Sequence, residues 1–156
     1  MSTRPLLVML LAAALLAPAC GSDNPTLPDV TRAVLALTVD PNPIPGTQDG
    51  LTLAVSATYT VTVTETAGLG GEFVFVSAGV YEPSTGRLVS LNYYDGTDLV
   101  VYQGGKRIEP LGQLVIPQNT SYTLSDYTKP ANLVVSVQFK DDRTNLINAS
   151  LLVKIE

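Results

Sequence analysis

The sequence predicts an all-β protein, a single antiparallel β-sandwich of about seven to nine strands. Three observations support this fold class. From Thr31 onward, apolar and polar residues alternate with the period of two that places neighbouring side chains on opposite faces of a strand. Turn-forming residues interrupt these stretches at short spacing, as in sandwiches and small barrels. No window of 11 residues beyond the N-terminal segment has the period of an amphipathic helix.

The first 19 residues have the three parts of a signal peptide. A single cation, Arg4, precedes an apolar run of 12 residues from Leu6 to Ala17, and small residues follow it. The run is too short for a membrane-spanning helix, which needs about 20 residues. We therefore predict that residues 1–19 are removed during export.

Cys20 comes directly after this segment and is the one cysteine of the chain. An intrachain disulfide is therefore excluded, and a free thiol on an exported protein would be reactive. Ala17-Pro18-Ala19 also fits cleavage by an ordinary signal peptidase, so plain secretion is the alternative. Residues 20–30 contain two prolines and form a short polar tether before a domain that spans residues 31–156.

The segment resembles the lipobox of bacterial lipoproteins, although Ala17 stands where that motif usually has leucine. The resemblance implies that the Cys20 thiol carries a lipid with acyl chains such as palmitate, and that the chain is anchored to the bacterial cell envelope. Gly21 follows the cysteine in place of the aspartate that retains enteric lipoproteins in the inner membrane. In a Gram-negative host the resemblance therefore implies the outer membrane.

The domain begins with two predicted strands. Ala33, Leu35, Leu37 and Val39 form the inner face of the first strand. The prolines between Asp40 and Gly46 exclude a central strand there. Leu51–Thr64 is then predicted as one long strand with an apolar face and a threonine-rich face, and its length predicts a bend or bulge.

The middle of the chain predicts a central strand and several shorter ones. Glu72–Tyr81 has apolar residues at both odd and even positions, with Phe73 and Phe75 assigned to one face. This pattern indicates a strand covered on both sides. Asp49-Gly50 and Asp95-Gly96 are hairpin-type dipeptides. The shorter strands are predicted at Leu88–Tyr93, Leu99–Tyr102, Gln113–Ile116 and Ser121–Ser125.

The last two strands are predicted at residues 132–140 and 146–155, joined by Asp141–Asn145 into a terminal hairpin. Together with Val39-Asp40-Pro41-Asn42-Pro43 and the long alternating strand after it, this order resembles bacterial immunoglobulin-like and fibronectin-III-like domains. The resemblance implies their β-sandwich fold. The cysteine pair and the core tryptophan of antibody domains are missing.

Composition excludes several function classes. The chain has no histidine and one cysteine, so Ser-His-Asp and Cys-His catalytic sets and His/Cys zinc sites cannot be built. The formal net charge is −5, which argues against a nucleic-acid partner because phosphates require clustered Lys and Arg. We expect no enzymatic activity and no cofactor.

The candidate binding residues are two acidic pairs and a few tyrosines. Asp95/Asp98 and Asp141/Asp142 could contribute to a calcium site, but neither matches a calcium-loop pattern, so a role in turn formation and solubility is favoured. Tyr93 and Tyr94 are predicted on opposite faces. Tyr94 and Tyr102 could form an aromatic platform for sugar or peptide, although ordinary sheet packing is favoured.

These observations predict a lipid-anchored envelope protein with a non-enzymatic binding or structural domain. Its partners would be the membrane, through lipid on Cys20, and an unidentified envelope protein or glycan. The alternative is a carbohydrate- or calcium-binding module on the cell envelope.

Overall fold

The structure is a computed structural model that describes residues 29–126 and 128–156, with the backbone alone for Tyr102. This part of the chain forms nine strands and one short helix. In chain order they are β1 (Leu35–Asp40), β2 (Gly46–Gln48), β3 (Val55–Glu65), β4 (Gly71–Tyr81), β5 (Leu88–Asp95), α1 (Gly96–Gln103), β6 (Arg107–Ile108), β7 (Gln113–Tyr122), β8 (Ala131–Asp141) and β9 (Leu146–Ile155). No helix in the described ranges is long and apolar enough to cross a bilayer.

The strands form two antiparallel sheets. In the four-stranded sheet, β3 pairs with β7 on one side and with β1 and β2 on the other. The five-stranded sheet has the order β5-β4-β8-β9, and β6 pairs with the first residues of β4. The all-β prediction is therefore confirmed, as is the terminal hairpin, whose strands β8 and β9 pair from Ala131↔Ile155 to Lys140↔Leu146.

A single hydrophobic core draws buried residues from both sheets. Alternate residues of β3 and of β8 point into it because each strand keeps a strict period of two. Phe73 and Phe139 meet there edge to face, with ring centroids 5.1 Å apart. The main contributions of the two strands are Ala57, Tyr59, Val61 and Val63 from β3, and Leu133, Val135, Val137 and Phe139 from β8.

The predicted strand Leu51–Thr64 is four residues too long at its start. β3 begins at Val55, and Leu51 is 95% exposed. The Asp49 carboxylate accepts the N–H of Leu51, and the Asp49 N–H donates to the Ala54 carbonyl, so residues 49–54 close a turn between β2 and β3. Of the predicted bend or bulge, the bulge is wrong, because β3 pairs with β7 without a register shift.

β4 is central, as predicted, but it is not covered on both faces. A bulge between Phe73 and Phe75 shifts its register against β8. The extra residue inverts the alternation, so Phe73 points into the core while Phe75 does not, and Val76 is the next buried residue. The assignment of both phenylalanines to one face is therefore wrong.

Two predictions for the segment after β5 also fail. Leu99–Tyr102 lies in α1 and is not a strand. Gln113–Ile116 and Ser121–Ser125 are not two strands, because β7 runs unbroken from Gln113 to Tyr122. α1 lies between β5 and β6, and its Leu99 side chain is fully buried in the core.

Candidate functional site

The first acidic pair forms the N-terminal cap of α1. The Asp95 Oδ1 accepts the backbone N–H groups of Thr97 (2.7 Å) and Asp98 (3.0 Å). The Asp98 carboxylate accepts the Asp95 N–H in return, which completes a capping box. Both residues therefore have a local structural role, in a helix cap and not in the predicted hairpin turn.

The second acidic pair is divided between two roles. Asp141 is buried, and its carboxylate accepts the N–H groups of Ala33, Arg143 and Asn145 as well as the Asn145 side-chain amide. The expectation that Asp141 serves solubility is wrong. It ties the β8–β9 turn to the residues before β1.

Asp142 is half-exposed and forms a two-pronged ion pair with Arg107, at 2.7 and 2.9 Å. This hydrogen bonding lowers the pKa of Asp142. Burial alone would raise the pKa of Asp141, but the bonds from Asn145, Ala33 and Arg143 outweigh burial and lower it.

Glu65, which the sequence analysis did not single out, is the most enclosed carboxylate of the described chain. It has no exposed surface, and its two oxygens accept five backbone N–H groups. The donors are Val34 and Ala67 to Oε1, and Gly68, Leu69 and Leu111 to Oε2. Burial raises the pKa of this carboxyl, but the N–H bonds together lower it below its usual value.

Glu82 accepts hydrogen bonds from two loops at the opposite end of the domain. Its Oε2 accepts the Thr85 hydroxyl at 2.7 Å and its Oε1 accepts the Ser125 N–H at 2.6 Å, while Arg87 lies 3.6 Å away. These hydrogen bonds, that from Thr85 above all, lower the pKa of Glu82 to about 2. A glutamate at a strand end followed by a run of small or turn-forming residues is the sequence signal common to Glu65 and Glu82.

Glu65, Glu82, Asp95 and Asp141 thus accept backbone N–H groups, and Asp142 pairs with Arg107. Within residues 29–126 and 128–156, no group of three or more acidic or cysteine side chains is placed to hold a metal ion. These carboxylates stabilise the conformations of loops, because their oxygens accept hydrogen bonds from neighbouring donor groups of the protein.

The tyrosines of β5 lie on opposite faces, as predicted. Tyr94 packs against the core, and its hydroxyl lies 3.4 Å from the Gln118 side-chain oxygen. Tyr93 is half-exposed on the outer face and stacks on Phe75, with ring centroids 5.6 Å apart. The proposed outer platform of Tyr94 and Tyr102 is wrong for Tyr94, and the Tyr102 side chain lies outside the described residues.

An open groove of about 590 Å³ lies beside β5. It is lined by Leu91, Asn92, Tyr93, Tyr94 and, from the end of α1, Gln103. A second cleft of about 420 Å³ opens at the end of the domain where β7 and β9 finish, with Val55, Tyr122 and Ile155 among its walls. Among the described residues, the lining of the groove at β5 has no charged side chain, whereas the lining of the cleft includes Lys129 and Glu156.

The predicted lipid attachment residue, Cys20, lies outside the described residues, as do the signal segment and most of the tether. The first described residues are fastened to the β8–β9 turn. Arg143 forms an ion pair with Asp29 at 2.7 Å, and the Asn145 side-chain amide donates to the Thr31 carbonyl at 3.0 Å. The tether therefore joins the domain at the end that carries this turn.

Comparison with solved structures shows likeness at the level of the fold. A Northeast Structural Genomics Consortium target, SoR45, superposes with a TM-score of 0.58 at 11% identity, covering 78% of this chain and 84% of that one. A candidate ApaA protein from Bordetella pertussis, target BeR40, gives a TM-score of 0.56 at 13% identity, covering 79% and 94%. No protein-family model and no curated protein matches the chain. At these identities the likeness concerns the fold alone.

Proposed function

We propose that this chain is a bacterial lipoprotein of the cell envelope, in the outer membrane if its host is Gram-negative. The observation that carries the proposal is the one cysteine, Cys20, placed directly behind a signal-like apolar run. One buried acyl chain holds a protein only reversibly, at about 0.8 kcal/mol per methylene, whereas two or more chains on Cys20 would anchor it stably.

We further propose that the domain is an immunoglobulin-like β-sandwich that binds a partner or has a structural role, without catalysis. Two antiparallel sheets around one core support the sandwich. The commitment of Glu65, Glu82 and Asp141 to hydrogen bonds within the fold supports a non-catalytic role, because a general acid or base must be able to exchange a proton with a substrate.

The anchor would orient the domain relative to the membrane. Because Asp29 and Thr31 are bound to the β8–β9 turn, an acylated Cys20 would hold that turn toward the bilayer. The loop at Glu82 and the cleft beside Tyr122 would then face away from the membrane.

Intact mass of the protein from its own host's membrane fraction tests the anchor, with Cys20→Ser as the control. We expect the mass of residues 20–156 plus acyl chains, and loss of membrane association in the control. A soluble, unmodified chain beginning at Cys20 would refute lipidation and would indicate plain secretion.

One observation favours a carbohydrate-binding role as a second candidate. The half-exposed Tyr93 ring, stacked on Phe75, is an aromatic surface of the kind on which sugars pack. A glycan that binds the folded state would raise the melting temperature, and the Tyr93→Ala variant should lose that shift. A broad glycan panel without any shift would exclude this role.

A further inference from the structure

Residues 29–32, which we call the entry segment, lie on the surface between the tether and β1. In the part of the chain that the structure describes, three polar contacts join this segment to the β8–β9 turn and to the first residue of β9, and all three are exposed. The contacts are Asp29–Arg143 at 2.7 Å, Thr31–Asn145 at 3.0 Å and Arg32–Leu146 at 3.1 Å. The segment is therefore attached by contacts that water can reach.

The next two residues are attached in a different way. Ala33 is 2% exposed, and its N–H donates to the buried Asp141 carboxylate at 3.1 Å. The Val34 N–H donates to the buried Glu65 carboxylate at 3.2 Å, and the Val34 carbonyl accepts the N–H and the hydroxyl of Thr66 at 2.9 and 3.2 Å. We call Ala33 and Val34 the buried junction.

The entry segment and the buried junction differ in what their release would cost. Exposed ion pairs and hydrogen bonds contribute little to stability, because water competes for both partners, and ordering the backbone of the entry segment costs conformational entropy. Release of the junction would take the Ala33 methyl group out of the core and leave the carboxylates of Asp141 and Glu65 each without one donor. Local release should therefore stop at Ala33.

We propose that the entry segment detaches from the β8–β9 turn and rebinds to it, while the buried junction and both sheets stay folded. Attachment holds the turn beside the tether. Detachment adds four residues to the tether, which lets the domain move up to about 13 Å further from Cys20 at about 3.3 Å per residue.

The buried junction gives this movement a limit. β1 pairs with β3 alone, so a pull on the tether would otherwise act directly on a strand at the margin of its sheet. With the junction in place, the pull detaches the entry segment first and is then resisted by the hydrogen bonds to Asp141 and Glu65. The biological use of this adjustable tether rests on the anchor proposed above, whereas detachment itself does not require an acyl group.

The test is ¹⁵N NMR relaxation and amide hydrogen exchange of the full chain, purified in detergent. At about 0.01 M salt we expect backbone order parameters of residues 29–32 near those of β1, about 0.8. At about 1 M salt, where the Debye length is about 3 Å, they should fall to about 0.6 or below. The amides of Ala33 and Val34 should exchange slowly at both salt concentrations, because their acceptors are buried.

Three variants identify the contact that holds the entry segment. Arg143→Gln should give low order parameters for residues 29–32 even at low salt, because it removes the charge that faces Asp29. The double variant Asp29→Arg with Arg143→Asp restores opposite charges and should restore the order. Arg87→Gln is the matched control: Arg87 is an exposed arginine beside Glu82 at the other end of the domain, and its loss should leave residues 29–32 unchanged.

Four results would overturn the proposal. They are order parameters of residues 29–32 that match β1 at every salt concentration and in Arg143→Gln, low order already in the parent at low salt, failure of the double variant to restore order, and fast exchange at Ala33 and Val34 whenever the entry segment is released. Acylation of Cys20 is measured separately by mass, so failure here and failure of the anchor are distinguishable.

Discussion

Glu65 shows how one buried carboxylate can organise several segments. Its oxygens accept N–H groups from the residue before β1, from the loop after β3 and from Leu111. Glu65→Gln replaces one acceptor oxygen with an NH₂ group that faces donors. Each buried donor left unsatisfied costs roughly 1–3 kcal/mol, so the free energy of unfolding in urea should fall by at least that amount.

Glu109→Gln is the control for this substitution. Glu109 is exposed and forms an ion pair with Arg107, a type of interaction that contributes about 0–1 kcal/mol. Equal unfolding free energies for Glu65→Gln and Glu109→Gln would contradict the structural role of Glu65.

Two adjacent residues of β8 test the orientation of the strand. Val135 is completely buried, while Ser136 lies on the outer face beside Ser77 and Ser150. Val135→Asp places a charge in the core without a partner and should prevent folding, whereas Ser136→Asp should fold. Circular dichroism and thermal melting of the pair provide the measurement, and a similar loss in both variants would show that the assigned faces are wrong.

At the scale of the element, alternation predicts faces only while pairing is regular. β8 alternates strictly from Leu133 to Phe139, and its buried face was predictable. β4 has apolar residues at both odd and even positions around Phe73 and Phe75, so its sequence does not indicate where the bulge inverts the pattern. The bulge is defined by the pairing with β8, which lies about 60 residues later in the chain.

α1 was missed because its sequence has two features of a strand. Val100 and Val101 are β-branched, and Asp95-Gly96 is also a hairpin dipeptide. The eight-residue helix is shorter than the window in which a helical period can be recognised. The spacing of Asp95 and Asp98 was the available signal, since an acceptor followed three residues later by a carboxylate is typical of a helix N-terminus.

Asp95→Ala tests this cap. It removes the acceptor for the N–H groups of Thr97 and Asp98 and should lower the free energy of unfolding by about 1 kcal/mol. Thr97→Ala, an exposed change in the same turn, should stay within about 0.5 kcal/mol of the parent. Urea denaturation compares the three proteins, and an Asp95→Ala variant as stable as the parent would contradict the capping role.

For the whole molecule, local patterns predicted the strand content and the final hairpin, because β8 and β9 are neighbours in sequence. The pairing of β3 with β7 joins residues far apart in the chain, and no local pattern encodes it. The structural role of Asp141 was not predictable for the same reason, since its donors include Ala33, 108 positions away. Such contacts depend on topology, which alternation alone does not determine.

The three buried carboxylates give the whole domain a predicted dependence on pH. The pKa values of Glu65, Glu82 and Asp141 are all lowered in the folded state, so the unfolded chain binds protons more readily. Their contribution to stability is complete above the pKa of the unfolded chain and is lost as the pH falls through the folded pKa. For Glu82 this loss of stability takes place between about pH 4.5 and about pH 2.

Urea midpoints measured from pH 8 to pH 2.5 test this dependence. The chain has no histidine, so stability should change little between pH 8 and about pH 5, and should then fall steadily. Glu82→Gln should be less stable than the parent at pH 7, and the difference should shrink toward pH 2.5, because the unfolded parent takes up a proton on this carboxyl below about pH 4.5 while the folded parent does not until about pH 2. A midpoint that stays constant down to pH 3, or a Glu82→Gln deficit that does not shrink, would show that these carboxylates do not stabilise the fold through their ionised form.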